Sequence, residues 1–396
     1  MDNIRYLMVV LVVVHHSVGA YAIVAPHWIV HDTNTFGADI IRELLDGFMM
    51  PVLFFAAGYF ALPSLEKKGP WKFVKDKVKR LLVPWALVVL IILPLVLYDQ
   101  PVKPVRPFWK YWLSYLSSFE VQLRFTQAPV VPTTQAIYWF ISLLFAFFLL
   151  FALICALTGR CQGGAIFPAA RKSTSGHSAL VALVVFGVLI SDVYFILLLF
   201  VPDSSWFTLY MFLEFQVTRL VMFAGYFAFG VYAQSRGWFA DGKPLGSLTW
   251  WGALSLGLAI AYLVFGQAMF ADTAGTADLT VGYLLIFAFL RSFILLSLLV
   301  ILVSFGVRYW NNASGLGRQL AAASYNIYLV HFFIVVALQA ALLRWIGGPA
   351  PVKIAIVFLA ALTLSFAFSR WVLTRHSRAF VIAILALFVF CLVSRP

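Results

Sequence analysis

Arg5 and His16 stand eleven residues apart inside one apolar run at the start of the chain. On a helix that step is about 1,100°, roughly 20° beyond three full turns, and about 16 Å along the axis. The two side chains then share a face, with Arg5 nearer the helix start. An imidazole takes up and returns a proton near neutral pH, and a guanidinium holds an anion. The pair suits proton transfer beside an anionic group. The same spacing also fits an Arg5 that anchors the helix at the membrane surface and a His16 that hydrogen-bonds to a neighbouring helix. His15 points about 100° away from His16.

A second polar face lies in Ser324-Tyr-Asn-Ile-Tyr-Leu-Val-His331, where Ser324, Tyr328 and His331 fall on one side of a helix. They could hold a polar substrate or bond between helices. Arg291 sits in the middle of another apolar stretch. A charge at that depth costs roughly 2.5–3.5 kcal/mol, so it needs an anion, a water-filled cavity or a carboxylate such as Asp46 or Asp192. Arg42 and Asp46 are four residues apart and suit an ion pair with each other. The basic run from Lys67 to Arg80, which includes Lys75, Lys77 and Lys79, faces headgroups or the phosphates of a nucleotide cofactor. His27-Trp-Ile-Val-His31-Asp32 contains a metal-like His pair and an H-x-x-x-x-D, but neither has a supporting motif nearby, and we set both aside.

The elements that must position these residues are membrane helices. Of 396 residues 63% are hydrophobic and 11% charged, with mean hydropathy +0.96. Soluble chains average about 25% charged. Lipid can solvate so apolar a chain, and it forces the backbone to bond to itself. Long runs without alternation select helices over a barrel. The expected fold is all-α: a polytopic bundle of about 10–11 transmembrane helices, forming a single domain over 1–396. Spans fall near 4–24, 40–62, 81–99, 136–157, 179–201, 216–234, 248–268, 280–306, 319–343, 352–373 and 379–394. The longest connections are about 100–135 and 158–178. The first carries Trp109, Tyr111, Trp112 and Tyr115, suited to an interface or a sugar-stacking lid.

The net charge of +13 falls in the loops, so it reads as topology rather than nucleic-acid binding. Basic residues concentrate on one set of loops when the N-terminus is cytoplasmic. The N-terminus lacks the basic start of a cleaved signal. Cys155, Cys161 and Cys391 suggest neither a disulfide framework nor a thiolate metal site, and no metal is expected.

Five segments in order then resemble bacterial acyltransferase family three, multi-span enzymes that modify glycans and other envelope molecules. Met1-Asp-Asn-Ile-Arg5 followed by His16 is similar to the family's R-x10-H first helix. Met50-Pro-Val-Leu-Phe-Phe-Ala-Ala-Gly-Tyr59 resembles its second-helix segment, with Ala57 where a serine is common. Phe73 to Pro84 resembles its basic stretch, with Lys77 where an arginine is usual and Arg80 kept. Tyr138-Trp139-Phe-Ile-Ser-Leu-Leu144 and Ser324 to His331 resemble two later segments.

The resemblance implies transfer of an acyl group, usually acetyl, from cytosolic acyl-CoA to a hydroxyl of a periplasmic or lipid-linked glycan or similar acceptor, in the bacterial inner membrane. It makes Arg5 and His16 the catalytic pair. His16 is the expected general base, and a covalent acyl-His16 intermediate stays open. Lys75, Lys77, Lys79, Arg80 and Arg291 are the expected cofactor contacts, and Trp139, Tyr328 and His331 the acceptor contacts. Some family members carry a fused extracytoplasmic hydrolase-like domain, for which a chain ending at Pro396 has no room. The competing reading is a transporter or flippase that uses the same buried charges as a substrate or proton pathway. No paired interrupted helices in matching halves favour it.

Overall fold

The computed structural model of the chain describes residues 2–25, 28–98, 107–117, 122–124, 135–159, 176–203, 205–210, 212–239, 245–272, 280–309 and 315–394. Among them run twelve helices: α1 Asp2–Ser17, α2 Phe36–Lys68, α3 Pro70–Leu97, α4 Phe108–Ser117, α5 Trp139–Thr158, α6 Gly176–Phe200, α7 Leu220–Ser235, α8 Leu248–Asp272, α9 Val281–Tyr309, α10 Gly315–Leu342, α11 Ala350–Phe368 and α12 Ser377–Ser394. Eight are long and apolar enough to cross a membrane. Three shorter apolar helices, Tyr6–Tyr21, Leu220–Ser235 and Ser377–Val393, complete the set of runs read from hydropathy. The protein is a multi-pass membrane helical bundle.

The helix boundaries follow local chemistry. Thr35, in extended conformation, caps α2 by accepting from the Ala38 N–H at 3.3 Å. Gly69, at φ 73°, closes α2 and leads into Pro70 of α3. Pro84 and Pro94 interrupt α3, and a π turn precedes each one, Val78–Leu82 and Val88–Ile92. Proline brings no N–H to the carbonyl four residues earlier. For Pro94 that is Leu90, whose carbonyl accepts from the Trp112 indole at 3.0 Å, while Val89's accepts from Tyr115 at 2.9 Å. The aromatic helix α4 is docked on α3 through these carbonyls.

The tightest crossing joins α2 and α7. A Cβ on Gly58 would lie 2.0 Å from the Phe227 carbonyl oxygen, and one on Gly230 would lie 2.1 Å from that of Phe55. Small residues let two backbones touch where lipid gives no hydrophobic drive between helices. The glycine of the second-helix segment therefore serves helix packing.

Three features depart from the expected pattern. The first helix ends at Ser17, short of 24. The span expected from 216 begins at Leu220, and before it stands a hairpin, β2 Trp206–Leu209 and β3 Leu213–Gln216. With β1 Gln122–Arg124 it makes an antiparallel sheet in the order β1-β2-β3, Gln122 opposite Thr208 and Thr208 opposite Glu214. Finally, Cys155 is disulfide-bonded and Cys391 is free, so one bridge exists that cysteine spacing did not announce.

Candidate active site

α1 lies against α10, α2 and α11, and its last turn carries the histidines. The Ser17 hydroxyl turns back onto the Val13 carbonyl at 2.7 Å. The chain then tightens into the short 3-10 turn Gly19–Tyr21. The carbonyls of His16 and Ser17, left without helical partners, accept from Nε2 of Gln339 on α10 at 3.1 and 3.0 Å. A Cβ on Gly19 would fall 2.6 Å from the Trp28 indole, so only glycine lets that ring settle over the helix end.

His16 Nδ1 lies 3.0 Å from His331 Nε2, across 315 residues of sequence. His331 is fully buried, and its Nδ1 is 2.8 Å from the Tyr328 carbonyl and 3.1 Å from that of Ile327. Carbonyls only accept, so Nδ1 of His331 bears the proton. In the neutral ring Nε2 is then an acceptor, and His16 Nδ1–H donates to it. Nε2 of a neutral His16 then carries the ring's lone pair. The dyad therefore presents one unprotonated nitrogen whose tautomer is set by two backbone carbonyls.

The remaining residues of interest are spread around this dyad. Arg5 lies in α1, but its side chain is outside the described residues. Tyr328 gives its hydroxyl to the Ile137 carbonyl, and Tyr138 gives its own to the Leu329 carbonyl at 2.8 Å. This reciprocal clasp ties the start of α5 to α10 beside His331. Trp139 stands in an aromatic wall, edge-on to Trp206 at 5.7 Å and tilted against Phe223 at 5.5 Å. Lys75, Lys79 and Arg80 are exposed, whereas the Lys77 ammonium rests 3.7 Å from the Phe148 ring centre. Tyr325, six residues before His331 and so roughly 9 Å away along α10, donates to the Leu81 carbonyl at 3.3 Å. That bond brings the turn carrying Lys79 and Arg80 to the helix that holds His331. His27 lies outside the described residues.

Arg291 belongs to a buried charge network. It donates to Asp203 at 2.9 Å and to the Tyr194 hydroxyl at 3.2 Å, with Asp46 3.9 Å away. Arg219 bridges Asp203, at 2.9 Å, and Asp46. Thr218 and Tyr194 add hydrogen bonds to Asp203 at 2.7 and 2.9 Å. Burial alone would raise the Asp203 carboxyl, but the Arg219 and Arg291 guanidiniums hold it well below the ordinary carboxylate range. The partner of Arg291 is thus Asp203, just after α6, rather than Asp192, and Asp46 pairs across helices rather than with Arg42. The network seats the hairpin against the bundle. Glu214 of β3 adds a second anchor, accepting from the Gln135 N–H at 3.2 Å.

Sequence reasoning passed over Trp28, Gln339, Asp203 and the Asp32–Lys353 pair at 2.7 Å. A glutamine inside an apolar helix was the one available signal for Gln339. Burial works against the Asp32 carboxyl, yet the Lys353 ammonium and the Thr33 N–H keep it below its usual range. No three His, Cys, Asp or Glu side chains gather as a metal site among the described residues.

A family model described as an acyltransferase domain matches residues 1–370. No curated protein and no solved structure matches the chain.

Proposed function

Because the chain belongs to acyltransferase family three, a family it enters as a multi-pass membrane protein, we propose that it moves an acyl group, acetyl in the simplest case, from acyl-CoA to a hydroxyl of a periplasmic or lipid-linked glycan or similar envelope acceptor. The observation that carries this reading is the His16–His331 dyad, whose hydrogen bond leaves the second nitrogen of a neutral His16 unprotonated. His16 Nε2 takes the proton of the acceptor hydroxyl as its oxygen attacks the thioester carbonyl carbon. The carbonyl π pair moves to oxygen, then returns as the C–S bond breaks. The departing thiolate takes the proton from His16, which is neutral again. Charge on the imidazolium is shared through Nδ1–H with His331.

In this reading His331 orients the base instead of contacting the acceptor, and Tyr328 holds α5 against α10. Lys75, Lys79 and Arg80 hold the CoA phosphates, and the pantetheine arm runs past Tyr325 to His16. Arg5, on the same helix as His16, contacts the donor. Arg291 serves the charge network. The N-terminus and the basic turn face the cytoplasm, where acyl-CoA is made, and the acceptor meets His16 from the opposite side of the inner membrane. One domain over 1–396 accounts for both substrates.

The test is release of CoA thiol from acetyl-CoA by purified protein in nanodiscs, supplied with an envelope extract as acceptor. Turnover lost in His16→Ala and Arg5→Ala, in protein that unfolds at the wild-type temperature, supports the assignment. Folded wild-type protein that neither binds nor turns over acyl-CoA refutes it and leaves transport as the better reading.

A further inference from the structure

Trp28 lies in the loop between α1 and α2, and its indole is stacked on His16 with ring centroids 5.3 Å apart and 13° between the planes. Its Nε1 donates to Gln339 Oε1 at 2.7 Å. The same amide holds the His16 and Ser17 carbonyls through Nε2. One side chain thus fixes indole and imidazole relative to each other. Phe332 packs edge-on against the indole at 5.8 Å. Farther along the loop, Asp32 is tied to Lys353.

Against a neutral imidazole the indole offers packing alone. Once His16 gains a proton, a cation stands within about 6 Å of the centroid of tryptophan, the aromatic ring that attracts cations best. We propose that Trp28 stabilises the imidazolium that His16 becomes during turnover, and that Gln339 is the residue that positions the indole for this. The inference rests on the acyl-transfer reading above. Other charges face the same place. The Arg42 guanidinium lies 5.8 Å from the Trp28 centroid, and the His15 ring is 5.1 Å from that of His16. The Arg42–Trp28 contact itself is the same before and during the reaction, whereas the Arg42 charge opposes the imidazolium, so the indole works against that repulsion. Only the charge that appears on His16 in the transition state changes the rate.

The experiment replaces Trp28 alone by mono-, di- and trifluorotryptophan in the full-length protein. Each fluorine weakens the negative face of the ring while shape and the indole N–H persist. Turnover of acetyl-CoA in nanodiscs is followed as free CoA. The expected result is a stepwise fall in kcat, about 2- to 30-fold by the end of the series, with KM for acetyl-CoA unchanged. Gln339→Leu lowers kcat and flattens the series, since an unheld indole no longer faces His16. A Trp28→Phe variant with the wild-type unfolding temperature separates this effect from folding. A flat series in active protein, or one in which KM rises while kcat holds, overturns the proposal and leaves acyl transfer standing. Wild-type protein that releases no CoA overturns both.

Discussion

Replacing His331 by leucine removes the acceptor that sets the His16 tautomer. In the resting dyad the 3.0 Å bond joins two neutral rings, and such a bond is worth about 0.5–1.5 kcal/mol. When His16 carries the acceptor's proton the same bond becomes charge-assisted, worth about 1.5–3 kcal/mol. The difference, about 1–2 kcal/mol, is the share felt in the barrier. It predicts a kcat lower by about 5- to 30-fold, with a further loss from rings that adopt the other tautomer. His331→Gln keeps a carbonyl oxygen in reach of Nδ1–H and should recover part of the rate. The assay is CoA release from acetyl-CoA in nanodiscs, with thermal unfolding recorded for each variant. The unfolding control is needed because leucine leaves a buried donor without a partner. His331→Leu at the wild-type kcat, beside an inactive His16→Ala, would refute the dyad. So would a raised KM at constant kcat, which would make His331 a binding residue.

Three further outcomes follow from the packing and the charges. Gly230→Val drives side-chain atoms into the Phe55 carbonyl at the α2–α7 crossing and should destabilise the bundle by about 1–3 kcal/mol or more, read as a lower unfolding temperature. Asp203→Asn leaves the Arg219 and Arg291 guanidiniums short of a carboxylate, a loss of about 3–5 kcal/mol by the same measurement; an unchanged unfolding temperature would mean that the network carries no stability. Asp32, held below its usual range, contributes stability that is fully present above its unfolded value near 4 and lost as pH falls through the lowered folded value. Asp32→Asn should therefore destabilise the protein at pH 7, and the difference from wild type should shrink in acid, as followed by thermal unfolding across pH.

Hydropathy by itself determined that the chain is a bundle of membrane helices, because lipid leaves the backbone no other way to satisfy its hydrogen bonds. The helical period put His16 on the face of Arg5 and grouped Tyr328 with His331, since those relations are local. Sequence order could not show that His331 is the partner of His16, 315 residues away, nor that a glutamine binds both the helix end and the indole. Those meetings depend on which helices touch. Glycines at 58 and 230 admit a close crossing, and a clasp at Tyr138 and Tyr328 sets α5 against α10. The hairpin and Asp203 were hidden for a related reason. Short strands between apolar spans carry little periodicity, and a carboxylate just past a helix end looks solvated until two arginines from other helices close on it. Residue types supplied the chemistry available to this protein, and tertiary packing decided which nitrogen of His16 is free to use it.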